Sequence, residues 1–408
     1  MRRLLDSYLD AYRDLPRDIW ALSAIMLVNR AGTMVLVFLA LYLTRELGHP
    51  PTFAGRVLAV YGVGHLAGAW LGGWLSDRVG SLRVQSGSLV LSGVFFLVLG
   101  QVESPRAIMA VVFLVAVAAE ALRPANGAAL AALAPARLRA RAWALQRIAL
   151  NLGFSIGPAL GGWLASIDYG LLFVADGVTC IGAGLLVLVL FRGRLDAVEA
   201  VADEPATDEA PPRDISPWRD GPFLAVLGAT ILMALCFLQA WSTLPLDLAA
   251  RFDFDEERFG LLLVVNALLI LALEMPLTRA TEQMPPMRVV AVGSLLVGGG
   301  YSLLVVGLRV DAPTLAAVAT MVVFTFGEMV AIPASGGWVS NRAAAGRRGA
   351  YMGLFVMAWG VAWIVAPAAG TWIYERFGGD VLWLATFGCG AAGAAICLAV
   401  DRRLGSRA

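Results

Sequence analysis

Long apolar runs, broken by short charged turns, fill nearly the whole chain. Residues 54–76 and 82–101 are almost purely hydrophobic, and the stretch between them, from Gly73 to Arg83, reads Gly-Trp-Leu-Ser-Asp-Arg-Val-Gly-Ser-Leu-Arg. A helix needs about 20 apolar residues to cross a bilayer. The runs therefore read as membrane spans, and the charged stretch as a tight turn at a membrane surface. The same pattern predicts twelve spans, near 18–46, 53–76, 82–101, 105–133, 139–165, 168–192, 220–249, 257–281, 287–308, 312–340, 348–374 and 379–401. One connection differs. Residues 193–219 are rich in Ala, Pro, Asp and Glu and poor in Val, Leu and Ile, a composition that builds no core. The expected architecture is an all-α polytopic membrane protein of two six-helix bundles, 18–192 and 220–401, joined by the linker 193–219. A segment 1–17 precedes them and a tail 402–408 follows. In the first segment Leu4, Leu5, Tyr8, Leu9 and Tyr12 recur at helical spacing, which predicts an amphipathic helix on the membrane surface rather than a signal peptide.

Composition agrees with the pattern. Of 408 residues, 59% are hydrophobic and the mean hydropathy is +0.75, against about 45–50% apolar in soluble domains. A net charge of +1 gives no basic field for nucleic acid. Every base is arginine, and arginines crowd one set of connections: Arg78 and Arg83, Arg139 and Arg141, Arg342 and Arg347, Arg402 and Arg403. The positive-inside rule then places both termini in the cytoplasm. Cys180, Cys236, Cys389 and Cys397 lie inside apolar runs without a Cys-x-x-Cys pair, and His49 and His65 form no metal cluster.

The two halves read as copies. One fixed shift along the chain lays Gly55 on Gly260, Asp77 on Glu282 and Arg83 on Arg288. Pro124 opens Pro-Ala-Asn-Gly and Pro333 opens Pro-Ala-Ser-Gly, and each is followed at the same spacing by a second proline, Pro158 and Pro367. Acid on acid and base on base at one shift point to parallel six-helix repeats.

Charges inside the spans are the functional candidates, because hydrocarbon disfavours them. They are Arg30, Glu120, Arg123, Arg147, Asp176, Glu274 and Glu328. Glu120 and Arg123 share a helix face, close to one turn apart, and a guanidinium that stays charged can hold a carboxylate ionised. Glu328 has no arginine in its own span, which makes it a candidate to load and release protons. Glu274 precedes Pro276 near the cytoplasmic end of its span, where it would join a hinge network with Arg279 and Glu282. Arg30, Asn126, Arg147, Asn151 and Trp359 are candidates to line a substrate cavity.

The turn carrying Gly73, Asp77, Arg78, Gly80 and Arg83 resembles the loop between helices 2 and 3 of the major facilitator superfamily, Gly-x-Leu-Ala-Asp-Arg-x-Gly followed by basic residues. Ser81 and Leu82 replace two of those bases. Arg123-Pro-Ala-Asn126-Gly is similar to the helix-4 motif of proton-coupled members, with Asn126 in the glutamine position. Gly153, Gly157, Pro158, Gly161 and Gly162 are similar to the helix-5 motif of drug:proton antiporters, although Ala144 stands where that motif has a further glycine. The resemblance implies a twelve-helix, proton-coupled secondary transporter of the cell membrane. It would export small lipophilic or amphiphilic compounds by alternating access. Its partners would be the solute, protons and the bilayer, and it would act as a monomer without cofactor or metal. Glu120, Arg123 and Glu328 would couple protons, and Gly73, Asp77, Arg78, Gly80, Arg83, Glu274 and Glu282 would form a conformational latch. Drug exporters often carry an acid in helix 1, where this chain has Arg30. Proton-coupled uptake of a peptide-like or organic-anion solute is therefore the alternative, and a non-transporting receptor or assembly factor a second. Enzyme motifs are lacking: without lysine no Walker loop exists, and there is neither a Gly-x-Ser-x-Gly elbow nor a His-Glu-x-x-His.

Overall fold

A computed structural model of the chain describes residues 14–135, 138–194, 216–343 and 347–405. The expected surface helix at 1–17, most of the linker 193–219 and the end of the tail lie outside the described residues. Twelve helical spans run through those that are described. The first, α1, is in pieces: Arg17–Ala31, Val35–Leu41 and a π-helical turn at Tyr42–Glu46. It is followed by α2 (Pro51–Val79), α3 (Ser81–Leu99), α4 (Pro105–Leu133), α5 (Arg139–Ile167) and α6 (Gly170–Leu190). In the second half α7 is again in pieces (Gly221–Phe237, Gln239–Ser242 and Leu244–Arg251), then comes α8 (Glu256–Thr281). The last four are α9 (Pro286–Gly300 and Ser302–Arg309), α10 (Pro313–Arg342), α11 (Arg348–Phe377) and α12 (Gly379–Gly405). Eleven of the spans are long and apolar enough to cross a membrane among the described residues. In the twelfth, α2, Arg56, His65 and the Asp77-Arg78 pair dilute the apolar run.

The repeat seen in the sequence is kept in the element register. The shift that lays Gly55 on Gly260 also carries Pro51 and Ser81, which open α2 and α3, onto Glu256 and Pro286, which open α8 and α9. The shift that lays Pro124 on Pro333 carries Arg139 and Gly170, which open α5 and α6, onto Arg348 and Gly379, which open α11 and α12.

The chain packs as two compact units, 1–38 with 63–203 and 39–62 with 204–408. In the first unit, Gly64, Gly68 and Gly72 of α2 lie against Ala116, Val117 and Ala121 of α4, so closely that a Cβ at Gly68 would stand 2.5 Å from the Val117 carbonyl oxygen. Glycines one turn apart let two backbones touch in this way. Gly73 contributes little to that approach, since its nearest neighbour would be the Pro124 Cβ at 4.0 Å. Gly80, at φ 93°, makes the turn into α3, a conformation that favours glycine.

In the second unit, 39–62 packs with the C-terminal half. Arg45 reaches the Glu256 carboxylate at 2.8 Å and donates to the carbonyls of Ala249 and Phe254, both at 3.2 Å. The Glu375 carboxylate accepts from the Thr52 amide at 3.0 Å and so caps the start of α2. A cavity of about 210 Å³ lies beside this contact, lined by Leu41, Thr44, Arg45, Pro51, Leu246 and Tyr374 among others. The expected boundary between bundles does not anticipate this placement of 39–62.

At the start of α7, Asp220 is buried. It accepts two bonds from Arg342, each 2.7 Å, and one from the Tyr351 hydroxyl at 2.9 Å. Burial alone would raise its carboxyl, but these bonds and the Phe223 amide hold it below the usual carboxylate value. Breaking a buried pair costs about 3 kcal/mol, so Arg342→Met should lower the unfolding midpoint in detergent by about 5 °C or more. The sign with pH follows from the depressed carboxyl. Its stabilisation is complete above about pH 4, the unfolded value, and fades as pH falls through the lower folded value. The midpoint difference between wild type and Asp220→Asn should therefore stay constant at neutral pH and shrink only in acid, as thermal unfolding across pH will check.

Candidate functional site

Each unit buries one glutamate in the middle of its spans. In the first, Pro105 at N1 and the Ser104 cap start α4, and the helix then carries Glu120 and Arg123 one turn apart on the same face, as the sequence predicts. Their separation is 2.9 Å, from Arg123 Nε to Glu120 Oε2. Glu120 is 7% exposed, whereas the Arg123 side chain is 60% exposed and points away from the unit's own packing. A third member was not expected. His65, buried in α2, places Nδ1 3.0 Å from the same Glu120 oxygen. Arg30 of α1 is close enough for its charge to act on the Glu120 carboxylate. One carboxylate thus faces an arginine on its own helix, a histidine on a second and an arginine on a third. The cluster joins α2 to α4 through one carboxylate.

In the second unit, Glu328 of α10 is 9% exposed. The Asn266 Nδ2 of α8 donates to Glu328 Oε1 at 2.6 Å and to the Thr325 hydroxyl oxygen at 2.9 Å. Glu274, two turns further along α8, is near enough for its charge to bear on Glu328. Glu274 itself is half-buried. Glu282 stays at the hinge, exposed at the end of α8. Arg288, the repeat partner of Arg83, pairs with Asp401 at 2.7 Å.

The remaining candidates fall in several places. Asn126 is buried. Its Oδ1 accepts from Gln85 at 3.4 Å and from Gln146 at 3.3 Å, an amide cluster inside α3, α4 and α5. Asn151 is half-buried and Arg147 exposed on α5. Trp359 is half-buried and meets the Phe237 ring edge-on, 5.5 Å between centroids. Asp77 and Arg78, in the last turn of α2, and Arg83, in the first turn of α3, are exposed. The Arg78 guanidinium sits 4.0 Å over the Trp74 ring, which itself stacks on Trp70. Of the helix-5 motif, Gly153, Gly157, Pro158, Gly161 and Gly162 are all buried. Among the described residues no cluster of three or more His, Cys, Asp or Glu could hold a metal ion.

Comparison with known proteins gives concordant results. The family model described as Major Facilitator Superfamily matches residues 22–246 and again 226–405. An uncharacterized MFS-type transporter of Bacillus subtilis, YqjV, is 23% identical over 346 residues, covering 84% of this chain and 83% of its own. A Na(+), Li(+), K(+)/H(+) antiporter of Planococcus maritimus is 26% identical over 376 residues, covering 83% and 85%. Among solved structures, the peptide transporter POT in complex with sulfate superposes with a TM-score of 0.80 at 16% identity, covering 96% of this chain and 95% of that one.

Proposed function

The chain belongs to the major facilitator superfamily and is a multi-pass membrane transporter of that type, and from this premise we propose that it couples proton movement to the export of small lipophilic or amphiphilic compounds by alternating access. The observation that carries the reading is the pair of glutamates buried in the middle of their spans, Glu120 and Glu328, in different surroundings. Glu120 stands among Arg123, Arg30 and His65, whereas the described hydrogen bond of Glu328 comes from a neutral amide. Two carboxylates with such different partners can take up and release protons at different stages of a cycle. Asp77, Arg78 and Arg83, with Gly73, Gly80 and Glu282, form the cytoplasmic latch, and Arg30, Arg147, Asn151 and Trp359 meet the solute. The protein works as a monomer with both termini in the cytoplasm. One proton moving inward across about 100 mV supplies about 2.3 kcal/mol, or about fifty-fold accumulation. The printed name of the Planococcus relative supports proton antiport and adds monovalent cations to the solutes worth testing. The arginines Arg30, Arg123 and Arg147 favour a second reading, proton-driven uptake of a peptide-like or organic-anion solute.

Transport into proteoliposomes separates the two. With the lumen acid, antiport drives solute inward; with the outside acid, symport does. The panel should hold ethidium as a lipophilic cation, a neutral dye, glutamate, and Na(+), Li(+) and K(+). Export predicts ethidium or dye loading into acid-lumen vesicles. Loading of glutamate only under external acid would replace that reading with the second.

A further inference from the structure

The gap in α1 has an occupant. Between Ala31 and Val35 the chain leaves the helix, and a broken helix within a bilayer exposes amides that need partners. Asp176, fully buried on α6, supplies them. Its Oδ1 and Oδ2 accept from the Met34 amide at 3.0 and 3.1 Å, and Oδ2 accepts from the Val35 amide at 2.9 Å. A carboxylate at the first amides of the outer piece also suits the positive end of its dipole. The other amides at the gap turn back on the inner piece, Gly32 to the Val28 carbonyl and Thr33 to the Arg30 carbonyl, both at 3.1 Å, and the Met34 amide is shared between Asp176 and the Gly32 carbonyl at 3.1 Å.

The helix-5 glycines face this same gap. A Cβ at Gly153 would stand 2.7 Å from the Arg30 Cβ, and one at Gly161 would stand 3.0 Å from the Met34 Cβ. Between them, Gly157 would bring a Cβ to 3.1, 3.2 and 3.3 Å from the carbonyls of Arg30, Ala31 and Thr33. Three glycines one turn apart thus bear on one irregular segment. The second repeat breaks α7 in the same register, at Leu238. There the side chain of Gln239 fills the space, donating to the Ala366 carbonyl at 3.1 Å, and Ala385 stands at the position matching Asp176. The interruption there is one residue, whose amide still reaches the Ala234 carbonyl at 3.0 Å; the three-residue gap and its carboxylate belong to the first half.

Arg30 is the last base of the inner piece, and its charge acts on Glu120. Winding Gly32–Met34 into helix would shorten that stretch and turn Arg30 about the helix axis. We infer that Asp176 is a positioning residue: by accepting the Met34 and Val35 amides it holds α1 open, and the gap sets where Arg30 stands against Glu120. The effect on transport rests on the reading of Glu120 as a coupling group; the effect on the gap does not.

Two variants of the full chain test this. Asp176→Asn keeps the shape but turns an amide donor toward one of the two backbone donors. Val35→Pro removes one of those donors at the first helical position, where proline is at home. In detergent, hydrogen exchange at Thr33, Met34 and Leu36 should quicken about tenfold in Asp176→Asn, with 20–28 unchanged. In acid-lumen proteoliposomes ethidium turnover should fall about tenfold while KM moves less than about threefold. Adding Val35→Pro to Asp176→Asn should restore the slow exchange of Thr33 and Met34 and most of the turnover. Unchanged exchange in Asp176→Asn would overturn the proposal. So would restored exchange without restored turnover, which would make the carboxylate itself a proton carrier. If wild type moves no solute in either gradient, the export reading falls and the exchange measurement alone decides whether Asp176 holds the gap.

Discussion

Glu328→Gln will abolish proton-driven accumulation in proteoliposomes while leaving solute exchange without a gradient largely intact. The substitution is nearly isosteric, and glutamine retains an oxygen to accept the Asn266 amide that now reaches Glu328 at 2.6 Å. The Asn266 bond to Thr325 is untouched, so the packing of α8 against α10 persists. What disappears is the buried carboxyl that accepts the Asn266 amide, and with it that group's ability to carry a proton. General acid–base groups are worth about 10²–10⁴ in rate, so the driven flux should drop at least about a hundredfold. Counterflow with equal pH on both sides should stay within about threefold of wild type, because it needs binding and reorientation but no net proton transfer. Driven flux at the wild-type level would remove Glu328 from the mechanism.

Arg123→Ala will have an effect of similar size by a different route. The guanidinium is 60% exposed, so its loss removes little packing, and the protein should reach the membrane and elute as a single species. Glu120 stays buried and keeps His65 at 3.0 Å, but it loses the permanent positive charge 2.9 Å away. The carboxylate is then without the guanidinium on its own helix, and driven flux should fall by about a hundredfold or more. Arg123→Lys should recover part of it, since a lysine keeps the charge but not the fixed fork of donors. Full driven flux in Arg123→Ala would show that the Glu120 cluster only fastens α2 to α4.

Much of this architecture can be read along the chain, because a bilayer tolerates few alternatives to long apolar helices. The turn expected over Gly73–Arg83 narrows to Gly80, since α2 runs to Val79 and α3 starts at Ser81, but the spans announce themselves locally. So does the Glu120–Arg123 pair, whose partners are one turn apart. The residues that escape such a reading are those whose partners are remote. His65 is a lone histidine in an apolar run, two spans before the one that carries Glu120, and no local spacing links them. Asn266 stands in the same relation to Glu328. The gap in α1 is hidden because the apolar runs on either side of Asn29–Thr33 together read as one long span. A glycine followed by threonine in a span, together with an acid in a helix expected on the periphery, is the signal that could have found it. The amide cluster of Asn126 escapes for a related reason: its partners Gln85 and Gln146 come from other helices.

The stretch 39–62 belongs by covalent connection to the first six spans and by packing to the second unit. The backbone therefore passes from one unit to the other at three points, near 38, 62 and 203, instead of once. Severing the chain within 195–215 would leave the halves stitched together by this arm. Two separately synthesised polypeptides, divided there, should co-purify on a tag carried by either one.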